Sequence, residues 1–373
     1  MALAARGTSL DFIGSDDLDI PELRRSSQVN FLNLRGSQEG GASLARKSSR
    51  ILIYYARLIR YAAIAGPKVF HILWNNKFEH FDRTLLMLYY KLLGKKVVFT
   101  AHNINARRRD SNDSALNRLT LRIQYGLADH IFVHTDAMKR ELLADFGVRA
   151  ERVSVIPFGI NNAVPQTELS SEQARQRLGI EPAARTILFF GHIGPYKGLE
   201  FLVAAFQRVA AARPDCHLII AGKLARGCED YLERVRRSIL GDVSGDRITQ
   251  RIEFIPDEET ELYFKAADVL VLPYTQISQS GVLVLGYSFG VPVLAANVGS
   301  FGEDVVEGHT GFLFRPGDSV DLAEAIERYF RSDLFKTLPS RRREIINYAR
   351  DRYSWDTVSR ITCAVYQQLA RDN

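Results

Sequence analysis

Cysteine is scarce in this chain. Cys216, Cys228 and Cys363 are the only three, odd in number and widely spaced. They form neither a disulfide framework nor a metal-ligand spacing, so a reducing compartment is expected. Long apolar runs are absent too, none approaching the ~18 residues that span a bilayer. Met1 to Gly7 has no signal-peptide design. These absences predict a cytoplasmic, soluble protein, with membrane contact limited to peripheral attachment at the inner face. No internal repeat or low-complexity tract is visible. No Gly-x-Gly-x-x-Gly follows a first strand with an acidic partner beyond it, which argues against a dehydrogenase. Excess charge is small: Lys plus Arg is 49, Asp plus Glu is 43, and the net charge is +6. That is too little to imply nucleic acid as a partner.

What is present is ordinary globular material. Of 373 residues, 46% are hydrophobic and 25% charged, which excludes disorder, collagen and coiled coil. The length suggests about two domains. Short β-rich runs alternate with helical stretches. In the first half the pattern predicts strands over 10–14, 29–34, 69–74, 96–102, 130–135 and 152–157, and helices over 44–65, 83–93, 115–128 and 136–146. In the second half it predicts strands over 186–191, 217–222, 252–256, 269–273, 292–296 and 311–315, and helices over 198–212, 228–239, 259–267, 281–289 and 320–330. Strands apolar on both faces and separated by helices indicate parallel sheets covered on both sides. The expected fold is α/β, two Rossmann-like doubly wound domains facing a cleft. The first domain is expected over 1–158, a linker over 159–169, the second domain over 170–350, and a crossover helix over 351–373. The opening strand and glycine turn of the first half are missing from the pattern, so its sheet is expected to be one strand short.

Two turns of the second half are built for an anion. The run Phe189-Phe190-Gly191-His192-Ile193-Gly194-Pro195-Tyr196-Lys197-Gly198 follows a strand and opens a helix. Its glycines allow a sharp turn and close approach to a ligand. Lys197 can place a positive charge at the helix N-terminus, and His192 can donate a hydrogen bond in the same turn. The run Tyr274-Thr275-Gln276-Ile277-Ser278-Gln279-Ser280-Gly281-Val282 also lies between a strand and a helix. There Ser280, Gly281 and Val282 present backbone N–H groups at a helix start. Two such turns on one sheet edge fit a diphosphate better than either does alone.

From Thr186 to Asp318 the chain resembles the donor domain of the GT-B glycosyltransferases, specifically the retaining family 4. The matching pieces are FFGHIGPYKGLEFL, IPDEETELYFKAADVLVLPY and GVPVLAANVGSFGEDVVEGHTGFLFRPGD. The resemblance implies that Lys197 grips the diphosphate of a nucleotide sugar, with His192 where the family has Arg. It implies that Ser280, Gly281 and Val282 bind the same diphosphate. Glu303 falls where the family's Gly-Gly-x-Pro-Glu element has its Glu, although this chain reads Gly299-Ser300-Phe301-Gly302-Glu303. The family's two glutamates, one near the donor sugar and one at the ribose, are absent. Aligned on Gly290-Val291-Pro292-Val293 their places hold Ile277 and Leu285, or Ser278 and Gly286 with a slip of one. Gln276, Ser278 and Gln279 are the candidates to hold ribose and sugar hydroxyls instead.

In the first half, Lys96 to Asn103 runs as a strand into His102, at the carboxyl end where such folds place chemistry. The resemblance puts His102 near the donor sugar, to orient sugar or acceptor or to shuttle a proton. Arg107-Arg108-Arg109-Asp110, with Arg118 and Arg122, makes a basic cluster. Over 44–65, Arg46, Arg50, Arg57 and Arg60 fall on one stripe, with Ile51, Leu52, Tyr55, Leu58 and Ile59 opposite. Basic amphipathic helices attach to anionic membranes; the apolar side is expected to pack inward while the Arg stripe faces headgroups. Asp16-Asp17-Leu18-Asp19 imitates a metal motif and is read as a solvated loop. No metal and no cofactor is expected.

The function expected is transfer of a sugar from a nucleotide-diphosphate sugar to a glycan or lipid-linked acceptor, with retention, in polysaccharide or glycolipid biosynthesis. Two alternatives stay open: a non-catalytic homologue serving as an assembly partner, and a GT-B nucleotide-sugar epimerase.

Overall fold

A computed structural model describes residues 1–38, 43–109, 112–242 and 244–371. It divides into two compact units, 1–157 with 355–373, and 158–354. In the first unit a short helix α1 (Ala2–Ala5) precedes β1 (Leu10–Gly14) and β2 (Val29–Asn33). Helix α2 (Leu44–Ile64) follows, then β3 (Val69–Ile72), β4 (Lys96–Thr100), α3 (Ala115–Leu127), β5 (His130–Val133), α4 (Asp136–Phe146) and β6 (Val153–Val155). All its strand pairs are parallel, but they form two ladders, β1-β2 and β3-β4-β5-β6. In the doubly wound order 3-2-1-4-5-6 the first strand lies between the second and fourth. No strand pair among the described residues joins the two ladders.

β4 and β5 are apolar on both faces because helices cover both, and Val97, Val98, Ile131, Phe132 and Val133 are fully buried. Helix α4 shows why the local sequence stops and starts where it does. The Thr135 hydroxyl accepts from the Met138 amide at its start, and Gly147 ends it at φ 64°, a conformation that favours glycine.

Helix α2 differs from the expected two-sided pattern. Tyr55, Leu58 and Ala62 are buried against the sheet, whereas Leu52 is 64% exposed, and Ile53, Ile59 and Ile64 are exposed as well. The sheet covers a narrower arc of the helix than the apolar residues span, so the outer face mixes these side chains with Arg46, Arg57 and Arg60. Arg50 donates to the Ser37 carbonyl at 2.6 Å and Arg57 to that of Leu34 at 3.5 Å, so half of the Arg stripe also secures the chain after β2. Of the basic cluster, Asp110 lies outside the described residues; Arg107 pairs with Glu79 and Arg118 with Asp113. In the Asp16–Asp19 loop, Asp19 pairs with Arg24 and Asp16 accepts from Asn33.

The second unit holds one six-stranded parallel sheet in the order β12-β11-β10-β7-β8-β9. Its elements are β7 (Arg185–Phe190), α5 (Leu199–Ala212), β8 (Cys216–Ala221), β9 (Ile248–Arg251), β10 (Val269–Leu272), α6 (Gly281–Ser288), β11 (Val293–Ala296), β12 (Gly311–Phe314) and α7 (Ser319–Arg331). β9 replaces the strand expected over 252–256. It is an edge strand whose extent is set by pairing to β8, from Leu218 opposite Ile248 to Ala221 opposite Arg251. The apolar run beyond it leaves the ladder, and Phe254 is exposed. The segment expected as a linker packs on this unit: Val164 is buried, and the Thr167 amide and hydroxyl donate to the Glu261 carboxylate at 2.5 and 2.9 Å. Residues 351–353 complete a helix over Leu338–Tyr353, and α8 (Trp355–Arg371) begins after Ser354.

Candidate functional site in the second unit

The order β10-β7-β8 makes the β7–β10 pair the switch point of this sheet. Strands on one side follow β7 and those on the other follow β10, and ligands of doubly wound sheets bind beyond such a pair. The two glycine-bearing turns leave these two strands. After β7 the chain turns at Gly191, φ 111°, and passes through a 3-10 turn over Pro195–Lys197 to Gly198, φ 64°. A Cβ on Gly198 would stand 2.0 Å from the Pro273 carbonyl oxygen, so only glycine lets the two turns close on each other. The Thr275 amide donates to the Tyr196 carbonyl at 2.9 Å and joins them. Lys197 is 7% exposed, and its Nζ stands 3.7 Å from the centre of the Tyr274 ring. That cation–π contact holds the ammonium at the junction of the turns.

A cavity of about 410 Å³ opens there, lined by Lys197, Gln279, Ser280, Gly281, Val282 and Leu285 together with Phe158, Gly159 and Asn161. Helix α6 starts at its wall. Ser280 makes no side-chain cap to the helix, and no backbone hydrogen bond among the described residues uses the amides of Ser280, Gly281 or Val282. These donors, the positive end of the helix dipole and Lys197 all border the same cavity, which suits an anion. Gln279 Oε1, in the same turn, is buried without a partner, and the buried Tyr274 and Ser280 hydroxyls have only each other nearby. Burial pushes the Tyr274 phenol well above its ordinary pKa. Orphaned buried polar groups carry a desolvation cost that a bound ligand relieves.

Lys197, Ser280, Gly281, Val282 and Gln279 are therefore brought together. His192 shares the turn but is exposed and outside the cavity lining. Gln276 is exposed and Ser278 half-buried, its carbonyl accepting from the Ser300 amide at 3.1 Å. That bond ties the 297–304 loop to the turn. Gly299, φ 56°, makes the approach possible, since a Cβ there would meet the Ile277 carbonyl oxygen at 1.9 Å. Glu303 belongs to this loop, half-buried, and does not line the cavity. Leu285 lines it; Gly286, the other position considered for the absent glutamate, does not. Sequence reasoning missed Phe158, Gly159 and Asn161. A larger groove of about 860 Å³ runs along α5 and α7 past Val209, Phe312 and Ala323; it contains none of the expected residues. Among the described residues no group of three or more His, Cys, Asp or Glu could hold a metal ion.

In the first unit, His102 follows β4 at its carboxyl end. Its ring is stacked under Trp74, centroids 3.9 Å apart and planes at 11°. Its Nδ1 lies 2.9 Å from His134 Nε2. Burial lowers the His102 pKa, the nearby Leu73 carbonyl opposing it. Burial, then the His102 charge, lower that of His134 to about 4.

Two family models match the chain, "Glycosyltransferase Family 4" over 1–164 and "Glycosyl transferases group 1" over 184–332. This chain belongs to the group 1 glycosyltransferases. The second model takes in both anion turns, and Phe158, Gly159 and Asn161 fall within the first. Curated relatives include a D-inositol 3-phosphate glycosyltransferase of Corynebacterium diphtheriae, 30% identical over 64% of this chain and 57% of its own length. Another of that name, from Pseudarthrobacter chlorophenolicus, is 29% identical over 54% and 48%. The match thus spans about half the length of these relatives. Among solved structures, the sucrose-phosphate synthase of Thermosynechococcus elongatus superposes with a TM-score of 0.76 at 21% identity, covering 100% of this chain and 92% of its own. Anabaena HepE in complex with UDP superposes with a TM-score of 0.75 at 18% identity, covering 97% and 100%. At that identity the likeness speaks for the fold: this glycosyltransferase is GT-B. No helix among its described residues is long and apolar enough to cross a membrane.

Proposed function

We propose that this glycosyltransferase moves a sugar from a nucleotide-diphosphate sugar to the hydroxyl of a glycan or lipid-linked acceptor, with retention of configuration, in polysaccharide or glycolipid biosynthesis. One observation carries the reading: the Tyr196–Thr275 hydrogen bond joins the two anion turns, with the buried Lys197 ammonium at their junction. Lys197 and the amides at the start of α6 hold the diphosphate and stabilise the charge it gains on leaving. His192 can add a hydrogen bond from the exposed rim. Gln279, with Gln276 and Ser278, takes over hydroxyl recognition from the absent glutamates, and Glu303 is placed on a loop tied to the same turn. His102 orients the sugar or the acceptor. That HepE was solved with UDP and with UDP-glucose supports a uridine nucleotide as the first donor to try.

The outer face of α2, with Arg46, Arg50, Arg57 and Arg60, is proposed to rest on an anionic membrane surface, its exposed Leu52, Ile53 and Ile64 entering the headgroup boundary. The protein then works in the cytoplasm at the inner face of the membrane. The names of the curated relatives make D-inositol 3-phosphate the acceptor to test against lipid-linked ones.

The experiment is release of free nucleotide from a panel of nucleotide sugars, with and without acceptors, for the native chain and Lys197→Ala. The variant is expected to lose roughly 10²–10³-fold in turnover, the range for removing one transition-state donor. Near-native turnover by Lys197→Ala would refute the diphosphate assignment. Conversion of the donor without any acceptor would point to an epimerase instead.

A further inference from the structure

We propose that His134 is a positioning residue that fixes His102 as its Nδ1–H tautomer, leaving His102 Nε2 as a hydrogen-bond acceptor for a substrate hydroxyl. His134 Nδ1 lies 3.2 Å from the Ile156 carbonyl oxygen. A carbonyl only accepts, so the proton of the neutral His134 ring sits on Nδ1, and its Nε2 carries a lone pair. That lone pair faces His102 Nδ1 at 2.9 Å, so His102 supplies the proton between them. Two neutral rings have two N–H groups, and both are now placed. The remaining nitrogen, His102 Nε2, is left bare by this count; it is buried and makes no hydrogen bond, and the Leu73 carbonyl near the ring is an acceptor for a proton only when the ring gains a second one. Trp74 keeps the assignment from being undone by rotation, since its indole covers the imidazole at 3.9 Å, nearly parallel. A third proton reaching the pair enters at His102 Nε2, because the other positions are occupied. The arrangement makes His102 an acceptor rather than a donor. The side chain that decides this touches no substrate itself and leaves no mark in the motif that carries His102.

The tautomer stands on the geometry of the first unit; its role in sugar transfer rests on the function proposed above. Long-range 1H–15N spectra of the full chain, labelled at its 8 histidines, separate the two. Signals lost in His102→Gln assign the ring. The native protein near neutral pH is expected to show His102 protonated at Nδ1 and bare at Nε2. His134→Leu is expected to move the proton to Nε2 or into exchange. His134→Gln, whose amide both donates and accepts, is expected to keep the native pattern. With the best nucleotide sugar, kcat should fall roughly tenfold in His134→Leu, a fraction of what a positioned acid or base contributes. Donor KM should stay unchanged, and His134→Gln should recover the loss. Native His102 protonated at Nε2, or a pattern indifferent to His134→Leu, overturns the proposal. Recovery by His134→Gln rules out simple loss of folding as the cause. The expected spectra in a native protein with no transfer activity would uphold the tautomer and reject the sugar-transfer reading.

Discussion

The two units finish their sheets with different materials. Beyond β7 and β10 the second unit presents main chain: glycines at positive φ, amides at a helix start, one buried lysine. Beyond β4 and β5 the first unit presents side chains: His102, His134 and Trp74, whose orientation depends on one another. A pocket made of main chain is specified by what must be small, as Gly198 and Gly299 are here. A cluster of side chains is specified by partners, each needing the next.

The largest expected break of this contrast is Gly198→Val. A non-glycine residue at φ 64° is strained by ~1–3 kcal/mol, and its Cβ would collide with the Pro273 carbonyl. Donor binding measured by calorimetry with UDP should weaken at least about tenfold, with a lowered melting temperature. Acid is the next lever. Burial holds His71 at about 3, and His130 and His134 at about 4, all in the first unit, against His217 at about 4 in the second. Between the unfolded value of ~6.5 and these folded values the unfolded chain binds more protons. Stability is therefore complete above ~6.5 and declines as pH falls toward about 4. Burial raises the carboxyl pKa of Asp268 and Asp304 in the second unit and of Asp82 in the first. Those groups work in the opposite sense, their contribution fading as pH rises through the raised values. Hydrogen exchange followed from pH 7 to 4 should show the first unit losing protection before the second; the reverse order contradicts the contrast. The smallest effect is expected for Ser280→Ala. Its hydroxyl makes no cap to the helix, so stability and UDP affinity should each move by no more than the ~1 kcal/mol of a single hydroxyl hydrogen bond. A large loss of affinity would mean that the hydroxyl, not the amides, holds the anion.

Legibility in the sequence followed the same division. Lys197, Ser280, Gly281 and Val282 were readable because each turn is local: strand residues, small residues and a helix start within a dozen positions. Phe158, Gly159 and Asn161 were not. They sit in an aperiodic stretch, and what places them is contact with residues more than a hundred positions away, as when the Phe158 ring comes within 3.0 Å of where a Gly281 Cβ would be. His134 escaped for a related reason, since only the β4–β5 pairing sets it beside His102. The short helix Ser171–Arg177 did carry a local signal, the capping box of Ser170 and Gln173, directly after the segment whose composition suggested a linker. The helix Leu338–Tyr353 is rich in arginine and buries only Leu338, Ile345, Ala349 and Tyr353, too sparse a face to stand out.

The Tyr196–Thr275 hydrogen bond spans 79 positions of chain, and this has a consequence for assembly. Closing so long a segment costs entropy that only the neighbouring β7–β10 ladder can repay. The cavity between the two turns cannot preform in a partly folded chain, and no fragment ending ahead of Thr275 can hold it. Nucleotide affinity during refolding therefore times the moment at which the two halves of that sheet come together.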